Sequence, residues 1–325
     1  MNYEKTSAFF KSSNNVNDTA YYIYYPVNSE PKAIVQISHG MCEYLARYEN
    51  FIDFLCGNGF IVCGNDHIGH GASVNSEEEL GYFSDKNGWR YLVKDVVTLT
   101  KLMQERYPKL PYYLLGHSMG SLIARTVIAK YSEIYDGVLI LGTISLDFGT
   151  NVCLAMIETV GSVKGKHFRS KMLDKMMFGL SNIKIEKPVT EYDWICSDEE
   201  VVKRYAEDPN CTFIFTVQGM YDLVMMVKYV SARDWAEKVS TELPIFIAGG
   251  ENDPIGRCGK CPKELFERMI KAGTKDLELK IYPEMRHEIL NEKNKQEVYG
   301  DILNWLNAHI EEYNEVISYE PLDTD

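Results

Sequence analysis

Apolar residues dominate four short runs, Ala33–Ser38, Phe60–Gly64, Tyr112–Leu115 and Gly137–Leu141. Between them, apolar positions return at helical spacing, at about Arg47–Asn58, Trp89–Arg106 and Met119–Tyr131. Strands buried on both faces read as near-continuous apolar runs, and their alternation with helices predicts a parallel sheet. Two earlier runs, Thr6–Lys11 and Thr19–Val27, are aromatic and β-branched and flank an Asn-rich stretch. That pattern predicts a hairpin.

The alternation stops after about Ile144. Residues 145–239 carry helical patterns without an obvious central strand, and they hold seven of the 13 methionines. Methionine is flexible and suits adaptable apolar surfaces. The α/β pattern then resumes with strand Leu243–Ala248, helix Pro262–Ala272, strand Leu277–Tyr282 and helix Lys295–Tyr313. The expected organisation is therefore one core, 1–144 and 240–325, interrupted by a mainly helical insertion, 145–239. No internal repeat is present. Val298, Ile302, Trp305, Leu306 and Ile310 share a face of the last helix, which is expected to pack on the sheet. Residues from Tyr319 to Asp325 read as a short acidic tail.

Composition narrows the partners. The 325 residues include 34 Lys and Arg against 47 Asp and Glu, a formal charge of -13. An acidic chain is a poor match for nucleic acid, because phosphate binding needs an excess of cations. No run approaches the ~20 apolar residues of a bilayer-spanning helix. The first residues lack a basic segment followed by a long apolar run, so no secretory signal is expected and a cytoplasmic location is. Eight scattered cysteines fit reduced thiols in a chain large enough to bury its own core. The pair Cys258-Gly-Lys-Cys261 lacks the further ligands that a zinc site needs.

The sharpest chemical signal is Gly116-His117-Ser118-Met119-Gly120, between an apolar strand and a helix. This is G-x-S-x-G in the strand–turn–helix setting that projects a nucleophilic serine. The helix N-terminus adds N–H groups and a positive dipole end near developing negative charge. An oxyanion hole needs two fixed N–H donors. Met119, just after the serine, is one candidate. Met41 is the other, because strand Ala33–Ser38 runs into His39-Gly40-Met41. His39 precedes the serine and reads as a residue that shapes this loop.

A serine nucleophile needs a histidine base and an acid behind it. In the chain order that accompanies this motif, both follow the serine. His167, His287 and His309 qualify by order. His287 alone lies in a loop directly after a strand, where open α/β sheets place their sites. For the acid, strand Leu243–Ala248 runs into Gly249-Gly250-Glu251-Asn252-Asp253-Pro254. Asp253 and Glu251 are both candidates on spacing; Asp222 lies in the insertion and fits poorly.

Five landmarks, HGMCEYLARY at 39–48, DHIGHGAS at 66–73, LLGHSMGS at 114–121, GGENDP at 249–254 and RHEILNE at 286–292, resemble one family. It is the monoacylglycerol lipase and lysophospholipase branch of the α/β-hydrolase superfamily, grouped with serine aminopeptidase-like hydrolases. The DPNCTFIFT segment at 208–216 resembles it too. The resemblance implies an α/β-hydrolase fold, a mostly parallel sheet flanked by helices, with the insertion as a cap. It implies Ser118 as nucleophile, Asp253 rather than Glu251 as acid, His287 as base, and oxyanion donors at Met41 and Met119. Tyr44 departs from the histidine that many members carry after HGxxE. Cys42 beside the oxyanion loop and CGKC after the acid are further departures.

The expected reaction is ester hydrolysis through an acyl-enzyme, which needs no metal or organic cofactor. A monoacylglycerol or lysophospholipid is the expected substrate, with a small-ester carboxylesterase as an alternative. An amidase or aminopeptidase on the same triad is another, with Glu199 and Glu200 available to meet a free amine. A non-catalytic binding protein of this fold usually lacks a triad member, and none is missing here. Within 151–187, Lys164, Lys166, Arg169, Lys171, Lys175, Lys184 and Lys187 face only Glu158, Asp174 and Glu186, a net +4. Such a segment suits a solvated helix face or a peripheral membrane contact.

Overall fold

The computed structural model describes residues 1–145 and 149–319. Eight strands form one sheet: β1 Tyr3–Lys11, β2 Asp18–Pro26, β3 Ala33–Ser38, β4 Phe60–Asn65, β5 Tyr112–His117, β6 Gly137–Leu141, β7 Ile245–Gly250 and β8 Leu277–Tyr282. Their order across the sheet is β1-β2-β4-β3-β5-β6-β7-β8. The expected hairpin is present, since β1 pairs antiparallel with β2, and β2 then pairs antiparallel with β4. From β4 to β8 every pairing is parallel. The central strands β3 to β7 are buried at every residue, as their apolar runs require.

Helices cover both faces. α1 (Glu49–Gly57) and α9 (Lys295–Tyr319) pack on one side, where Phe51, Leu55, Val298, Ile302 and Leu306 meet the sheet. The apolar stripe of α9 is thus core. α2 (Gly88–Arg106), α3 (Met119–Tyr131) and α8 (Lys260–Ala272) cover the other side. Between β6 and β7 lie α4 (Thr150–Lys164), α5 (Lys171–Phe178), α6 (Glu199–Glu207) and α7 (Val217–Ser231). No strand occurs among the described residues of this stretch.

Several boundaries differ from the sequence pattern, among them the start of β1 at Tyr3 rather than Thr6, and three of them have local reasons. The helix expected from Arg47 starts at Glu49, after a 3-10 turn over Leu45–Tyr48. There the Leu45 N–H donates to Asp66 at 2.9 Å and Arg47 turns toward Glu288. β7 starts at Ile245 rather than Leu243, because Pro244 has no N–H for the ladder. α9 continues to Tyr319, since nothing before Pro321 breaks a helix. The expected acidic tail beyond Tyr319 lies outside the described residues.

Candidate active site

The loops that follow β3, β5, β7 and β8 meet at the C-terminal edge of the parallel sheet, where open α/β sheets bind ligands. Ser118 sits between β5 and α3 with φ 52° and ψ -118°. A side chain rarely takes this conformation, at a cost of ~1–3 kcal/mol. The turn is over-determined by its neighbours. Ser118 N–H donates to Leu141 O at 3.0 Å. Gly120 lies so close to the Ser38 carbonyl that a Cβ there would collide with backbone.

His287 lies in the loop after β8. Its Nε2 is 2.8 Å from Ser118 Oγ, and its Nδ1 is 2.9 Å from Asp253 Oδ2. Asp253 lies in the turn after β7, and its second oxygen accepts from Ile255 N–H at 2.9 Å. Asp253 and His287 are buried, at 1% and 3% exposure. Glu251, the rival on spacing, is exposed, and its N–H donates to Tyr282 O. Asp222 receives the Trp89 N–H at 3.1 Å, in a different part of the molecule. Of the other candidate bases, His309 pairs with Asp276 at 2.9 Å and His167 stacks on Tyr82.

The loop after β3 passes beside Ser118: a Cβ on Gly40 would come within 3.0 Å of Ser118 Cβ. Met41 follows it, and Met119 begins α3, where the first N–H groups have no partner within the helix. His39 shapes this loop. Its Nδ1–H donates to Gly40 O at 2.8 Å, and its Nε2 accepts from His67 N–H at 2.9 Å. Burial lowers the proton affinity of His39 and of its neighbours His67 and His70, the last to about 3. No group of three or more metal-binding side chains is assembled among the described residues.

Several residues at the site carried no role in the sequence reading. Glu43 accepts from Gly40 N–H, from Tyr48 Oη at 2.8 Å and from Arg47 Nη1 at 3.0 Å, and contacts His117 Nδ1 at 3.2 Å. Arg47 also forms a bidentate pair with Glu288, at 2.7 and 2.8 Å, and stacks over the Tyr205 ring. Burial opposes a charge on Glu43. The His117 hydrogen bond and the charges of His117 and Arg47 outweigh it and hold the carboxyl well below its ordinary range. Their sequence signal was the spacing within HGMCEYLARY and RHEILNE, which marks a motif but not its pairings.

Part of the segment between β6 and β7 is tied to the His287 loop. Glu288 N–H donates to Ile195 O at 2.7 Å, and Arg286 Nη1 reaches Asp193 O and Cys196 O at 2.6 and 2.8 Å. Glu292 receives the Ser197 N–H and hydroxyl. Trp194 then lies against the His287 ring, with centroids 5.2 Å apart.

Comparison with known proteins gives the same landmarks a lineage. A family model described as serine aminopeptidase, S33, matches residues 29–294. Mouse (Mus musculus) monoglyceride lipase is 34% identical, over 88% of this chain and 85% of the relative. Monoacylglycerol lipase of Mycolicibacterium smegmatis is 25% identical, over 87% and 91%. A thermostable carboxyl esterase from Bacillus coagulans, solved with glycerol, superposes with TM-score 0.88 at 31% identity, over 94% of this chain and 99% of that one. With a mostly parallel eight-stranded sheet and an S33 match across most of its length, the chain belongs to the serine aminopeptidase S33 family of the α/β-hydrolase superfamily.

Proposed function

We propose that Ser118, His287 and Asp253 are a catalytic triad that cleaves monoacylglycerol or lysophospholipid esters. The chain is a carboxylic ester hydrolase, and one observation carries the residue assignment: the unbroken line of hydrogen bonds from Ser118 Oγ through the imidazole to the buried Asp253 carboxylate. In the first step His287 Nε2 takes the Ser118 proton as Oγ attacks the ester carbonyl. The N–H groups of Met41 and Met119 receive the oxyanion. A single donor of this kind contributes ~3 kcal/mol. His287 then protonates the departing alcohol, and water repeats the sequence on the acyl-enzyme. Asp253 keeps the imidazole in the tautomer that presents Nε2 to the serine. Trp194 lies against the His287 ring at a tilt.

Residues 145–239 act as a cap on a core formed by 1–144 and 240–325. Support comes from the hydrogen bonds between the 193–197 segment and the His287 loop. The names of the mouse and mycobacterial relatives favour a monoacylglycerol.

A serine-directed fluorophosphonate tests the assignment. It is expected to label the wild-type chain once and to leave Ser118→Ala unlabelled; labelling of Ser118→Ala overturns the reading. A series of monoacylglycerols, lysophospholipids, p-nitrophenyl esters and aminoacyl-anilides then ranks the substrates. Turnover confined to the anilides would assign an aminopeptidase instead.

A further inference from the structure

His117, the residue before the proposed nucleophile, takes no step in that reaction. Its ring lies between the loop after β3 and the loop that carries His287. On one side, Nδ1 is 3.2 Å from Glu43 Oε1 and 3.0 Å from Tyr48 Oη. Tyr48 Oη is itself 2.8 Å from Glu43 Oε1. On the other side, Nε2 is 3.2 Å from the carbonyl oxygen of His287. Carboxylates and carbonyls only accept hydrogen bonds. A neutral imidazole carries one proton and would turn its lone pair against one of these acceptors.

We propose that His117 is a permanently protonated imidazolium, and that it is a positioning residue whose two N–H groups tie the backbone of His287 to Glu43. The 2.8 Å approach of His287 Nε2 to Ser118 Oγ then depends on a clamp at the His287 backbone carbonyl.

The surrounding charges agree. Glu43 and Glu288 are buried carboxylates, and Arg47 lies between them. One guanidinium against two carboxylates leaves a buried negative charge, which is costly without a partner. A cationic His117 balances the cluster. Among the other groups that face it, Tyr48 is neutral, because burial and the Glu43 carboxylate push its hydroxyl far up. His39 is neutral, with its Nε2 lone pair held by His67 N–H. The His287 ring is 4.9 Å away, centroid to centroid. Burial lowers the proton affinity of His117, but the hydrogen bond and charge of Glu43, then the charge of Glu288, raise it above the ordinary value.

The test reads the proton directly, by nitrogen-15 resonances of labelled histidines, in wild type and in Ser118→Ala. Disappearance in His117→Asn assigns the signals. Both His117 nitrogens are expected to carry hydrogens at pH 6 and at pH 8, and Glu43→Gln is expected to abolish that state at pH 8. An unprotonated His117 nitrogen at pH 8 in the wild-type chain overturns the proposal. This readout does not depend on catalysis, so it stands or falls separately from the triad assignment. Kinetics test the positioning role. His117→Asn is expected to lose about tenfold in kcat on a soluble ester with KM unchanged, the scale of one hydrogen bond to a charged group. A folded His117→Asn with wild-type kcat overturns that role; if the variant does not fold, Glu43→Gln is expected to show the same kcat loss, and a wild-type kcat there overturns it.

Discussion

Ser118 illustrates how a single residue can be placed at the expense of stability. Its φ of 52° is set by β5 on one side and α3 on the other, with no room at Gly120 for the turn to relax. Glycine reaches positive φ without the Cβ penalty. Ser118→Gly is therefore expected to be inactive and more stable than wild type, by about 1 kcal/mol once glycine's extra unfolded-state freedom is counted. Ser118→Ala is expected to be inactive without that gain. Paired thermal unfolding of the two variants is the measurement, and equal midpoints would show that the turn stores no strain. The same scale separates the two carboxylates that spacing offers as the acid. Glu251 and Asp253 are near-equals along the chain, but only Asp253 turns inward beside His287.

At the level of elements, α7 is joined to α2 by a buried carboxylate. Asp222 lies at the N-terminal end of α2, where Trp89 N–H donates at 3.1 Å and Gln218 Nε2 at 3.2 Å. Gly88 permits the approach, since a Cβ there would come within 2.6 Å of Asp222 Oδ2. Burial pushes the carboxyl up to about 6, against the opposing pull of Trp89 N–H, Gln218 and Gly88 N–H. A carboxyl raised on folding contributes stability that is complete below its unfolded-state value. That contribution is lost as pH rises through the folded-state value. Here the loss falls between 3.8 and about 6. Asp222→Asn does not titrate, so wild type is expected to lose ground to it from pH 4 to pH 7, on the order of 3 kcal/mol. Denaturant unfolding at several pH values checks this, and a difference independent of pH would contradict it. α5 and α6 carry local caps, from Ser170 and Asp198.

Across the whole molecule, charge and apolar surface are distributed unevenly. The chain carries -13 overall, yet residues 151–187 carry a net +4. The same region exposes Val152, Val163, Met172, Met176, Leu180 and Ile183. Three of its cations are engaged in the fold: Arg169 donates to backbone at Glu78 and Ile214, Lys166 to Asp85 O, and Lys184 to Cys258 Sγ at 3.2 Å. The remaining lysines stand among apolar side chains, a combination suited to an anionic lipid surface. Co-sedimentation at low salt is expected to be stronger with anionic than with neutral vesicles, and weaker as salt is added. Equal binding to both would remove charge from the account. No helix among the described residues is long and apolar enough to cross a membrane.

The order of strands and helices, the interruption after β6, the strained turn at Ser118 and the loop that holds His287 all follow from local pattern. Runs of apolar residues, helical periodicity and a glycine-flanked serine act over a few residues, so a linear reading captures them. Other features required the chain to close on itself. Spacing along the chain leaves Asp253 and Glu251 level, and the hydrogen bond that separates them runs to a residue 34 positions away. The clamp on His287 joins His117 to a carbonyl 170 residues along, and Arg47 meets Glu288 across 241. Such pairs have no period and no fixed spacing. Burial gives them their strength, because an acceptor or charge removed from water must find its partner wherever the fold brings one. The sequence determined which residues could do chemistry; only the tertiary structure decided which of them face each other.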